Sequence, residues 1–265
     1  MKKFWFILTA LVATCFLVAC SGSQGVSPKT IKENKKIVVA TESEFAPFEF
    51  KSLVNGKDTL VGADIELAKA IGEKLGVKVE FSVMSFDNVL ASVQSGKADI
   101  AIAGISVTDE RKKVYDFSDS YYTSENVVIV KKDKVNDYTS TDSLAKQTVG
   151  TQKGSVQETV AKKQISKASV VSLTSNGEMI NELKSGQLQA VVLEKAIAEG
   201  YIAQNDDLTL ANFNLKSDGT DAYAVATRKG SDDLLKEINA VIKETKDSGK
   251  FDQWLKEAST YKQSK

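Results

Sequence analysis

Two stretches of this 265-residue chain follow one plan. The run NVLASVQSGKADIAIAG (residues 88–104) and the run GEMINELKSGQLQAVVLE (177–194) each read as a helix, a Ser-Gly stop and an apolar strand. Their stops, Ser95-Gly96 and Ser185-Gly186, lie 90 positions apart. A helix that turns sharply into a buried strand is the unit of an open α/β sheet. Using it twice at this separation predicts two similar lobes.

The remaining periodicities fit that plan. Strands are expected at 37–40, 77–83, 98–103 and 126–131, with helices at 64–75 and 86–94. A second set follows: strand 148–151, helix 155–163, strand 169–173, helix 176–183 and strand 189–193. A strand at 221–227 and helices at 232–246 and 251–258 then return to the first lobe. The expected division is lobe 1 from 36–126 and 222–265, and lobe 2 from 127–221. Two crossings between lobes form a hinge that permits closure. Ligands of open α/β sheets sit beyond the carboxyl ends of the strands. Ser106 and Glu194 follow equivalent strands of the repeat, so they are expected to face one cleft.

The amino terminus is read apart from the fold. Lys2 and Lys3, an apolar run over 4–19 and the sequence Leu17-Val18-Ala19-Cys20 have the form of a lipoprotein signal peptide, residues 1–19, with Cys20 as the lipidated residue. The apolar run is short for a membrane helix, which needs about 20 residues. Residues 20–35 are polar and are expected to be a flexible tether. Cys15 lies in the removed segment, and the chain has no histidine. This excludes a Ser-His-Asp triad, a Cys-His pair and histidine metal sites. Basic and acidic residues balance at 35 each, and no basic patch points to nucleic acid.

Only Arg111 and Arg228 are arginines among the 35 basic residues. Arg111 stands beside Lys112 and Lys113, where a further lysine would supply charge equally well. A guanidinium adds a planar, two-pronged donor set that matches a carboxylate. Before it, 104–106 reads as a turn and Thr108-Asp109-Glu110 as a helix start, whose free N–H groups favour an anion. The segment is either a carboxylate-binding corner or a surface arginine on a capped helix. Arg228 beside Lys229 is expected at the surface.

Three motifs carry a family resemblance: VATESEFAPFEF (39–50), VGADIELAKAIGEKLG (61–76) and SGKADIAIAGISVTDERKKVYDFSDSYY (95–122). They resemble the extracytoplasmic solute-binding lipoproteins of polar amino acid ABC transporters, bacterial solute-binding protein family 3. The likeness covers nearly the whole mature chain. It implies a two-lobed type II periplasmic-binding fold, each lobe an open α/β sheet, joined by a two-strand hinge. It implies a binding function without catalysis or cofactor. A permease and its ATPase would act in trans, and the protein would be a monomer on the outer face of the cell membrane. The lysine-rich composition and short tether favour a Gram-positive cell.

The resemblance also implies roles. Arg111, with Ser106 and the backbone at Gly104, would hold the α-carboxylate of a free amino acid. Gly154, Ser155, Val156 and Gln157, at the start of a lobe 2 helix, would meet it from the other side, and Gln152 is a further ligand-binding candidate, at a position that is Lys in some glutamine-binding relatives. Glu194 stands where the family usually has Asp and would accept the α-ammonium. Phe45 and Phe86 would flank the side chain, and Glu42 would reach its far end. With Arg111 and Glu194 spent on the zwitterion, Glu42 is left over, and a spare buried carboxylate is costly unless it meets a cation. The expected ligand is arginine, then lysine or histidine. Glutamine is the alternative, because a carboxylate also accepts from an amide. A dehydratase or cell-wall lyase on the same fold, with Glu42 and Glu194 as acid and base, is the other alternative.

Overall fold

The structure is a computed structural model that describes residues 25–217, 219 and 221–264. The expected signal peptide, Cys20 and the first part of the tether lie outside the described residues.

Two five-stranded sheets organise the chain, and they share one topology. In lobe 1 the order is Lys78–Val83, Lys36–Thr41, Ile100–Ala101, Ala226–Arg228, Tyr115–Phe117. In lobe 2 it is Ser169–Leu173, Thr148–Gln152, Ala190–Glu194, Asn126–Lys131, Leu208–Leu210. The first three strands of each sheet are parallel, and the fourth and fifth join antiparallel. Ile100–Ala101 and Ala190–Glu194 occupy the same third place, as the repeat predicts. Parallel strands covered on both faces need near-continuous apolar sequence. Ile37, Val39 and Ala40 supply it in one lobe, and Val149, Val191 and Val192 in the other, all fully buried.

The lobes are joined where Tyr122–Thr123 pairs antiparallel with Ala222–Tyr223. One strand leads into Asn126–Lys131 of lobe 2 and the other into Ala226–Arg228 of lobe 1. The fold is therefore the expected two-lobed α/β architecture with a two-stranded crossing. The carboxyl-terminal helices Asp232–Asp247 and Lys250–Ala258 return to pack on Ala63–Leu75, where Leu234, Ile238, Val241 and Ile242 share a core with Leu67 and Ile71.

Several expectations need correction. Residues 28–34 of the expected tether form the helix Pro28–Asn34, capped by Ser27 Oγ accepting from Thr30 N at 3.2 Å. Val26 and Ile31 anchor it in the lobe 1 core. A Pro after Ser is a helix-start signal that the polar composition obscured. The strand expected over 98–103 is ladder-paired only at Ile100–Ala101, because the chain turns away at Gly104 with φ +53°. The hairpin Glu49–Val54/Lys57–Val61 and the helix Lys195–Gln204 were not anticipated. Arg228 is only partly exposed, and its Nη1 donates to Val93 O at 3.2 Å and Ala98 O at 3.1 Å. It ties the end of the helix Phe86–Gln94 to the sheet.

Candidate functional site

The turn after Ile100–Ala101 positions Arg111. Thr108 caps the four-residue helix Asp109–Lys112, its Oγ1 accepting from Arg111 N at 3.1 Å. That fixes the direction of the Arg111 side chain. Nη1 donates to Ser106 O at 2.7 Å, and Nη2 reaches across to Gly154 O of lobe 2 at 3.1 Å. The guanidinium carbon lies 5.8 Å from the centre of the Phe86 ring, within cation–π range. Burial lowers Arg111 to about 10, which leaves it cationic at neutral pH. Arg111 is half-buried and reaches across to lobe 2. Beside it the cleft opens outward as a cavity of about 570 Å³ between the short helix and the turn at Gly154.

Opposite stands Glu194, at the end of its strand and 5% exposed. Gln157 Nε2 donates to its Oε1 at 2.9 Å, and the Tyr223 hydroxyl donates to Oε2. Gln157 Nε2 also donates to Asn126 Oδ1 at 2.7 Å. Burial raises Glu194 to about 7, opposed by the donors from Tyr223 and Gln157 and by the charge of Arg111. The charge of Arg111 thus acts on Glu194 across the cleft and favours its ionised form.

A third group lies apart from this pair. Glu42, 4% exposed, accepts from Gln152 Nε2 at 2.9 Å through Oε2, while Oε1 has no protein donor. Burial raises it to about 8; the Gln152 donor opposes this, and the nearby Glu44 and Glu194 add to it. One lone pair set of a buried carboxylate is left for a donor from outside the protein.

Aromatic residues line the space between. Phe45 packs on Phe48 and Tyr223 with ring centres 5.8 and 6.3 Å apart. Gly104 fits beneath it: a Cβ there would lie 2.6 Å from Phe45 Cε1. The Gly104 N–H donates to Asp64 Oδ2 at 3.0 Å, which also accepts from Tyr121 OH at 2.8 Å. With both acids ionised, neither Glu49 oxygen nor Asp64 Oδ1 would have a donor. Burial pushes Glu49 well up, and a proton held there and donated to Asp64 joins the two acids, with one Glu49 oxygen still lacking a donor. This acid pair sets the height of the Gly104 turn.

The structure brings Glu42, Phe45, Phe86, Gly104, Ser106, Arg111, Gln152, Val156, Gln157 and Glu194 to the facing surfaces of the two lobes. Ser155 is the exception in chemistry. Its Oγ donates to Gln152 O at 2.7 Å and accepts from Glu158 N at 3.3 Å, so it serves its own helix Val156–Gln164 as N-cap. What that turn offers an anion is backbone N–H, not the hydroxyl. Sequence reasoning missed Asn126, Tyr223 and the rim pair Asp87–Lys153, 2.9 Å apart across the cleft. Asn126 and Tyr223 had a signal: each is a polar group in or beside an otherwise apolar strand. Among the described residues, no cluster of acids is arranged to hold a metal ion, and no helix is long and apolar enough to cross a membrane.

The family profile for bacterial extracellular solute-binding proteins, family 3, matches residues 37–258. The chain is 34% identical over 261 residues to the arginine-binding extracellular protein ArtP of Bacillus subtilis (strain 168), covering 97% of both. It is 32% identical to the ABC transporter glutamine-binding protein GlnH of the same organism, covering 97% of this chain and 98% of that one. In structure it superposes with a TM-score of 0.85 on the amino acid ABC transporter substrate-binding protein AbpA of Streptococcus pneumoniae Canada MDR_19A, solved bound to L-arginine. Those two chains are 51% identical, covering 87% of this one and 97% of the other. The chain belongs to the bacterial extracellular solute-binding proteins, family 3.

Proposed function

We propose that this protein captures free L-arginine in the cleft between its lobes and presents it to an ABC importer. The observation that carries the ligand choice is Glu42, a buried carboxylate with one oxygen held by Gln152 and the other unpartnered. A guanidinium supplies the planar donors such a group lacks. Arg111 takes the α-carboxylate with the N–H groups at the start of Val156–Gln164, and Glu194 takes the α-ammonium. Phe45 and Phe86 line the methylene path between the two ends. The relative that binds arginine and the arginine-bound neighbour support this assignment.

The ends of the ligand are held from different lobes, so binding favours closure by the difference in affinity for the closed and open forms. The closed surface is what a permease, working with an ATPase, would read. The family places the protein outside the cytoplasm; lipidation at Cys20 would hold it at the outer face of a Gram-positive membrane as a monomer. The relatives named above are amino acid-binding proteins, and turnover of substrate has no support in them.

Glutamine is the second reading, favoured by the glutamine-binding relative and by the ability of Glu42 to accept from an amide. A thermal-shift screen against the twenty free amino acids, followed by calorimetry, decides between them. Arginine is expected to give the largest shift. A larger shift with glutamine, or none with any amino acid, ends the arginine assignment.

A further inference from the structure

Glu44 lies two residues from Glu42 but turns away from the groups assigned to the ligand. Its Oε2 accepts from Ser175 Oγ at 2.6 Å and from Gly177 N at 3.0 Å. Both donors belong to lobe 2, at the start of the ten-residue helix Asn176–Ser185. Ser175 is that helix's N-cap, accepting from Glu178 N at 3.1 Å while its hydroxyl donates to Glu44. The backbone of Glu44 is engaged as well: Tyr201 OH, on the lobe 2 helix Lys195–Gln204, donates to Glu44 O at 3.3 Å. Gln263 Nε2 donates in turn to Tyr201 OH at 3.5 Å, from a carboxyl-terminal segment bridged to Ser52 of lobe 1. Behind Ala46, the approach is close enough that a Cβ on Gly200 would lie 3.7 Å from Ala46 O. The segment 44–46 of lobe 1 is thus seated on two lobe 2 helices, and every donor and acceptor is a protein atom.

We propose that Glu44 is a closure latch: an affinity-setting residue that holds the lobes together without touching the ligand. A carboxylate on unsatisfied helix N–H groups is a charge-assisted contact favoured by the helix dipole. It exists only when the lobes meet. Opening returns Glu44 to water and leaves the Asn176–Ser185 helix with its Ser175 cap alone. The latch therefore raises the closed population before any ligand arrives, and apparent affinity scales with that population. Its effect on affinity rests on the amino-acid-binding reading; its effect on shape does not.

The test compares wild type, Glu44→Ala, Ser175→Ala and the double variant, by calorimetry with L-arginine and by small-angle scattering without it. Glu44→Ala is expected to raise Kd about tenfold. The double variant should lose little more than the Glu44→Ala protein, because the two residues form one contact. Saturating arginine should bring all four proteins to the same radius of gyration. Multiplying losses in the double variant would mean that Glu44 acts through its charge on Glu42 rather than as a latch, and would overturn the proposal. An unchanged Kd in Glu44→Ala would do so too. If wild type binds no arginine, the binding reading fails separately and scattering decides: a larger radius for Glu44→Ala than for wild type supports the latch, and equal radii overturn it.

Discussion

Gln152 Nε2 of lobe 2 donates to Glu42 Oε2 of lobe 1 at 2.9 Å, so an amide and a carboxylate from opposite lobes meet at one end of the cleft. Closure and side-chain recognition share that bond. Replacing Glu42 by Gln keeps the shape and a partner for Gln152 but removes the charge. A hydrogen bond to a charged group contributes about 1.5–3 kcal/mol. Glu42→Gln is therefore expected to weaken arginine by roughly 10- to 150-fold and glutamine by much less. Calorimetry with both ligands checks this, and equal binding of arginine by the two proteins would remove Glu42 from the site.

Arg111 spans Ser106 O and Gly154 O with its two terminal nitrogens. A lysine offers one ammonium and cannot fork to both while facing a carboxylate. Arg111→Ala is expected to cost about 2–5 kcal/mol of binding, the range for removing one member of a buried charge pair. Arg111→Lys should fall between that variant and wild type. Titration with arginine measures both, and unaltered affinity in Arg111→Ala would place the ligand's acid end elsewhere.

Acid and base should pull stability and binding in opposite directions. Burial raises Glu42 from 4.5 to about 8 and Glu194 from 4.5 to about 7. In the folded protein both therefore hold protons more tightly than in the unfolded chain. That contribution to stability is complete below about pH 4.5 and is lost as the pH rises through about 7 to 8. Without arginine the thermal midpoint should fall between pH 5 and 8.5. Arginine binds the ionised carboxylates, so its affinity should rise over the same window, with proton release at pH 7. Buffers of different ionisation heat read that release directly. An affinity that stays level from pH 6 to 8 would refute the assignment.

Tyr223→Phe removes the hydroxyl that donates to Glu194 while leaving the ring against Phe45 and Phe48. With one donor fewer, Glu194 should titrate higher still. The pH at which arginine affinity reaches its plateau is expected to move upward, with a loss of about 1 kcal/mol at pH 7. A pH profile that superposes on wild type would mean that Glu194 does not need this bond.

Gly104→Ala is expected to impair binding more than folding. The added methyl would lie 2.6 Å from the Phe45 ring at a residue with φ +53°. Phe45 must shift toward the ligand space or the turn must drop from Asp64. Arginine affinity should fall at least tenfold with a modest fall in thermal midpoint, about 1–2 kcal/mol of stability for a strained turn. Full affinity would show that the ring moves without cost.

The repeat made the sheets legible because helix, stop and strand leave a periodic trace in both lobes. Residues 28–34 left none: seven polar-rich positions hide one buried Ile31, whose packing adds to the Ser27 cap and the Pro28 start in holding the helix. Arg111 was visible as a departure from a lysine-rich background. Glu44 was not, because its strand, Glu44–Phe45, is too short to show a period and its partners at Ser175 and Gly177 are more than 130 positions away. The Ser155 hydroxyl is committed to its own helix as N-cap, a role that the run Ser155-Val156-Gln157-Glu158 signals by its capping-box form.

Tyr223 belongs to the ribbon that joins the lobes, yet its hydroxyl holds the carboxylate assigned to the ammonium end. The end of the pocket common to every amino acid is thereby welded to the joint on which the molecule bends. The distant end, at Glu42 and Gln152, bridges the lobes but has no bond to that ribbon. Descendants of this chain can change diet by altering that distant end while the ribbon on which they bend stays as it is.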